Sequence, residues 1–291
     1  MSYHHRALTY PTFAKALPIA VCLAFAVSAW SHADISVRVT VTNNAPSGGT
    51  YLTPVWVGFH DGSFDSYDGG TASAPELERL AEDGNASDLA NTFAAGGTLA
   101  GSGSQDGAER RQGMLGAGPI APGQTLTQTF DINDDGSNTY FSYASMVLPS
   151  NDYYVANGNP FAHSLADLIQ NGDTVSFDVF GVNDAGTEIN DFATSAGNGL
   201  FSSLGLPGGQ SGPNQGADQN GVNQNVLFPF IGFLNRPSDA DTNPDFAKLN
   251  FSDGSQYPRG LLTFNISAVP EPGSAAILGL GAIIALVRRR R

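Results

Sequence analysis

Outside its first 33 residues the chain has two histidines, His60 and His163, and no cysteine, so nucleophilic and acid-base chemistry have few candidate groups. His60-Asp61-Gly62-Ser63 contains the residue types of a Ser-His-Asp hydrolase. Adjacent residues on a strand point to opposite faces, so these cannot form a triad locally. Gly-x-Ser-x-Gly, His-Glu-x-x-His and a phosphate loop ending in Lys are all missing. Two histidines without a thiol also make a poor zinc site. A hydrolase of matrix polymers would have to rely on paired carboxylates such as Glu82 with Asp83, or Asp61 with Asp65.

Oxygen ligands are plentiful and suit calcium, which takes six to eight oxygens from carboxylates, carbonyls and water. Three places compete for an ion. Asp131, Asn133, Asp135 and Gly136 match the opening of an EF-hand loop, but Ser142 stands at position twelve, where a bidentate Glu is needed, so a hairpin turn is expected there. Asp61, Asp65 and Asp68 could converge within one loop. Asn151-Asp152 and Asp184-Ala185-Gly186-Thr187-Glu188 each follow a strand, and the tight turn would place Asp184 near Glu188.

The elements that must position these groups read as strands. Apolar and polar residues alternate, with β-branched and aromatic side chains, over 35–42, 55–59, 125–132, 140–148, 174–182 and 261–266. Asp134-Asp135-Gly136 is expected to join two of these into a hairpin, and Asn171-Gly172-Asp173 to precede another strand. Short helices are expected over 75–82, with Pro75 at the first helical position, and over 164–170, with Leu165, Leu168 and Ile169 on one face. Residues 96–124 and 196–225, rich in Gly, Ser, Asn and Gln, read as long surface loops. With no repeat of 20 to 50 residues, the reading is one all-β domain over 34–268, an antiparallel β-sandwich with long Gly-rich loops.

Both ends read as transport signals. Arg6 and Lys15, an apolar run over 16–27 and Ser31-His32-Ala33 form a signal peptide over 1–33, with the mature chain starting at Asp34. Cys22 lies inside it, so the mature domain has no disulfide and relies on its core or a bound ion. The last residues, 269–291, comprise Pro270-Glu271-Pro272, an apolar run over 275–287 and four arginines, which the positive-inside rule keeps cytoplasmic. A run that short is marginal as a permanent membrane span and suits a transient anchor.

Of the 13 basic residues two lie in the leader and four in the tail; of the 27 acids one lies in the tail. The intervening domain therefore has 7 basic and 26 acidic residues, a formal −19. That field repels nucleic acid, anionic lipid and acidic polysaccharide, and attracts divalent cations.

Two resemblances follow. The C-terminal layout resembles the PEP-CTERM sorting signal of Gram-negative bacteria, which implies removal by an exosortase and display at the cell surface or in an exopolysaccharide matrix. Four ordered segments resemble the spondin domain: Pro54-Val55-Trp56-Val57-Gly58-Phe59-His60-Asp61-Gly62-Ser63-Phe64, Leu80-Ala81-Glu82-Asp83-Gly84, Ser145-Met146-Val147-Leu148-Pro149-Ser150-Asn151-Asp152-Tyr153-Tyr154 and Asp184-Ala185-Gly186-Thr187-Glu188. This second resemblance implies a sandwich related to calcium-dependent phospholipid-binding domains, with one calcium held by Asp152, Asp184 and Glu188. Tyr153 stands where the family usually has Trp, and Glu188 where it has Asp. The expected role is a non-enzymatic surface or matrix protein that adheres to extracellular polysaccharide or to another surface protein; a secreted hydrolase and a purely structural protein are the alternatives.

Overall fold

The structure, a computed structural model, describes residues 34–47, 49–148, 150–189, 218–225 and 257–270. The leader over 1–33, the apolar run over 275–287 and most of the 196–225 loop lie outside the described residues.

Two antiparallel sheets stack into a sandwich. The first has four strands in the order β5 (Thr125–Asn133), β1 (Asp34–Asn43), β11 (Leu262–Ala268), β8 (Val175–Val179). The second runs β10 (Gln224–Asn225), β9 (Asn183–Asp184), β7 (Tyr153–Ala156), β6 (Tyr140–Leu148), β3 (Val55–His60), β4 (Arg111–Leu115), with β2 (Tyr51–Leu52) also paired to β6. The first sheet alternates: Val37, Val39 and Val41 are buried, whereas Arg38 is exposed and Thr40 and Thr42 are half-buried. That is the pattern of a sheet wetted on one face.

The second sheet is covered on both faces. Val55, Val57 and Phe59 of β3 join the core between the sheets, while Trp56 on the other face packs into a second cluster beneath α1 (Pro75–Asp83) and α2 (Ser87–Ala94). Leu77, Leu80 and Ala81 of α1 and Leu89 and Phe93 of α2 supply the helical side of that cluster. Phe93 meets the Trp56 ring edge-on at 5.0 Å between centroids. Every residue of β3 is consequently buried.

Expected and observed elements differ in instructive places. Strands and helices appear near their expected positions, α3 covering Ala166–Asn171 and ending at Gly172 in the left-handed region. The expected hairpin at Asp134-Asp135-Gly136 does not form: β5 pairs with β1 and β6 with β3, so the turn carries the chain from one sheet to the other. The expected loop over 96–124 contains a 3-10 turn (Gly107–Glu109) and strand β4, whose Leu115 is buried, as is Ile120 beyond it. Among the described residues no helix is long and apolar enough to cross a membrane.

Candidate metal centre

The turn after β6 is built by a serine. Ser150 Oγ donates to the Val147 carbonyl and accepts the Tyr153 amide at 3.0 Å, which folds Asn151 and Asp152 inward until both are fully buried. Asp152 is then pinned from both ends. Its carbonyl accepts the Ala185 amide at 3.1 Å, and its Oδ2 accepts the amides of Thr187 and Glu188, each at 3.1 Å. Strand β9 sits beside β7 with Tyr153 opposite Asp184, which carries the second carboxylate to the first. Asp184 closes its own turn by accepting the Gly186 amide on Oδ1 at 2.7 Å.

The two carboxyl groups stand within hydrogen-bonding reach of each other. Burial, then the neighbouring Asp184 charge, pushes the Asp152 carboxyl up to about 8, and the Glu188 and Thr187 amides offset this only in part. Two neighbouring carboxylates shed this repulsion by sharing a proton or by holding a cation between them. Asp152 Oδ1 and Asn151 Oδ1 are buried and accept no hydrogen bond, although Asn151 Nδ2 donates to the Ile189 carbonyl at 2.7 Å. Buried acceptors without donors call for an ion or a water.

Asp152 and Asp184 thus meet through their side chains. Glu188, fully buried, reaches Asp152 through its backbone amide. Among the described residues no three His, Cys, Asp or Glu side chains gather as a metal cluster. Ion ligands beyond the two aspartates would come from amide and carbonyl oxygens, of which Asn151 Oδ1 is the nearest in sequence.

A returning strap, residues 218–225, seals the turn. The Gln219 amide donates to the Thr187 carbonyl and the Gly221 amide to the Gly186 carbonyl, while β10 pairs with β9. Asn223 locks the strap down: Oδ1 accepts from Ser73 Oγ and Tyr154 Oη, and Nδ2 donates to the Thr71 carbonyl. No local pattern announces this clasp, because its partners are distant along the chain and its composition is that of a loop.

The other candidate groups go elsewhere. His60 is buried; its Nδ1 accepts the Gly62 amide, leaving the proton on Nε2 to donate to Ser142 Oγ at 2.9 Å. Burial, aided by the Arg110 charge, lowers His60 to about 4, so it is a neutral structural donor. Ser63 Oγ accepts from Arg110, and Asp61 Oδ1 accepts the Ser63 amide. His163 stacks on Phe177 at 3.6 Å.

In the EF-hand-like segment Asp131 accepts from Ser36, Asn133 from Arg111 and Asp135 from the Ser137 amide. Asp65, raised to about 6 chiefly by burial, accepts the Tyr67 amide. Asp83 pairs with Arg79 at 3.0 Å and Glu82 is fully buried. An open cavity of about 330 Å³ beside α1 and α2 is lined by Pro75, Glu76, Asp88, Asn91 and Thr92, and Glu76 Oε1 there accepts from Thr92.

Comparison with known proteins identifies the tail. No curated protein matches the chain. Residues 268–291 match the PEP-CTERM protein-sorting motif, which marks the chain as an exported protein sorted through an exosortase-type enzyme.

Proposed function

We propose that the exported sandwich is a non-enzymatic, spondin-like surface domain in which Asp152 and Asp184 hold one calcium ion, with neighbouring carbonyl and amide oxygens completing the shell and Glu188 supporting it through the amide it donates to Asp152. The observation carrying this reading is that strand pairing sets Asp184 beside the buried Asp152 carboxyl, next to buried acceptor oxygens that receive no donor. A hard cation satisfies all of these at once, and the acidic domain concentrates such ions.

The ion would tie the β6–β7 turn to the β9 turn and, through the strap, fix one end of the sandwich. Its role is then structural, and the domain's task after sorting is adhesion, to extracellular polysaccharide or to a surface protein. Calorimetric titration with calcium tests the site: one equivalent should bind to the protein, and none to Asp184→Asn. Stoichiometric binding that survives Asp184→Asn overturns the assignment.

A further inference from the structure

Strand β11 joins the core of the sandwich to the sorting motif without a spacer. It lies inside the four-stranded sheet, paired with β1 from Leu262 opposite Asn43 to Ala268 opposite Val37, and with β8 from Leu262 opposite Val179 to Ile266 opposite Val175. Its Leu262, Phe264 and Ile266 are fully buried between the sheets. The matched motif begins at Ala268, which is still within the strand. One further residue is held, because the Val269 amide donates to the Ser36 carbonyl at 2.8 Å. Pro270, exposed and without an N–H, is the first residue past the ladder.

A chain bound in a peptide-cleaving cleft lies extended and offers the backbone groups of several residues to the enzyme. Residues up to Val269 are held against β1, so a cut among them would require peeling β11 away and uncovering Ile266. Five residues, Pro270 to Ser274, separate Val269 from the apolar run that starts at Ala275. Fully extended they reach roughly 18 Å, so the cleft must come to this end of the sandwich. Two bonds in the stretch, Val269–Pro270 and Glu271–Pro272, are tertiary amides that cannot donate to a cleft.

We propose that the exosortase-type enzyme cuts the folded domain without opening β11, at Pro270–Glu271 or at one of the bonds between Pro272 and Ala275, so that the sorted chain keeps β11 whole through Val269. Water adds across the broken peptide bond, the new carboxylate staying with the sandwich and the new amine with the apolar segment. The enzyme meets the end of the sandwich where β1 begins and β5 finishes, with Asp34 opposite Asn133. The candidate metal centre lies towards the other end: Asn43, which closes β1, holds the Thr50 carbonyl, and the next residue, Tyr51, pairs with Leu148 just before the Asp152 turn. Neither the calcium ion nor adhesion enters into this processing.

Intact-mass spectrometry of the full chain after sorting in a Gram-negative host with an exosortase-type enzyme locates the cut. The sorted domain should end at Pro270, Pro272, Gly273 or Ser274. An end at Val269 or earlier, an end beyond Ser274, or a chain that keeps its tail overturns the proposal. Whether β11 opens is read from the Arg38→Cys, Ser267→Cys double variant, whose two positions face each other on the outward side of the sheet in a domain with no cysteine of its own. Opposed residues stand roughly 4.5–5.5 Å apart at Cβ, so a disulfide can staple β11 to β1. Pulse-chase processing of the oxidised double variant should keep the wild-type terminus and a rate within about twofold of wild type. A larger slowing that neither single variant shows overturns the proposal.

Discussion

The Asp184 charge acts directly on the buried Asp152 carboxyl, although the two residues come from turns beside different strands of the seven-stranded sheet, and the strap over their turns is anchored by Asn223. Their repulsion makes Asp152→Asn a diagnostic change. Asn keeps the oxygen that accepts the Thr187 and Glu188 amides while removing the charge. In chelator at pH 9 the variant should be more stable than wild type, by about 2 kcal/mol. In saturating calcium the order should reverse, read by urea unfolding in both media.

Acid titration should show two opposed trends in chelator. Asp152, raised from 3.8 to about 8, binds its proton more tightly folded than unfolded, so its contribution to stability falls as pH rises from about 4 to about 8. His60 and His163, lowered from 6.5 to about 4, bind protons more tightly unfolded, so their contribution is lost as pH falls from about 6.5 to about 4. Asp65, raised from 3.8 to about 6, adds a smaller gain on acidification over the lower part of that range. Melting temperature without calcium should therefore stay nearly level from about pH 4.5 to 6, where the two carboxyls and the two histidines offset one another, and fall from about pH 6.5 to 8. The alkaline decline should vanish when calcium occupies the pair.

Gly186 has φ +67°, and a Cβ there would lie 2.6 Å from the Val222 backbone. Gly186→Ala should cost about 2 kcal/mol or more, through left-handed strain and displacement of the strap. Hydrogen exchange of the Gly221 amide, which donates to the Gly186 carbonyl, should accelerate more than that of the β1 amides.

Trp56 is fully buried between Phe64 and Phe93 and donates its indole N–H to Gln112 at 2.6 Å. Trp56→Ala should destabilise by about 3–5 kcal/mol, lost packing and an orphaned acceptor acting together. The helices should loosen first, which near-ultraviolet circular dichroism of this aromatic cluster would report.

How much of this was legible follows from which signals are local. Strand β1 shows its alternation because one face is wet, and α1 announces itself with Pro75 at its start and Gly84 at its end. Strand β3 lies between two cores, so its pairing partners could not be read from a one-sided pattern. Helix α2 was missed because it lacks a capping side chain, although Leu89 and Phe93 have helical spacing. Strand β4 was hidden in Gly-rich sequence: Gly113 sits against the Phe130 ring, where a side chain would not fit.

The site divides in the same way. Asp152 and Asp184 were marked by their turn sequences, and the fold brings them together. That Glu188 would approach Asp152 by its amide depends on the exact path of the turn, which no residue type encodes. Asn223 and Arg110 were invisible for a related reason: their value lies in partners far along the chain, Tyr154 and Phe93 among them.

The most direct test of the central claim is thermal unfolding of the purified protein in calcium, in magnesium and in chelator, beside the Asp152→Asn, Asp184→Asn double variant. Calcium at a hundredfold excess over its Kd should stabilise the wild type by about 2.7 kcal/mol, magnesium far less, and the variant by neither ion. A wild-type midpoint that millimolar calcium leaves unmoved, or a rise that the double variant retains, would contradict it.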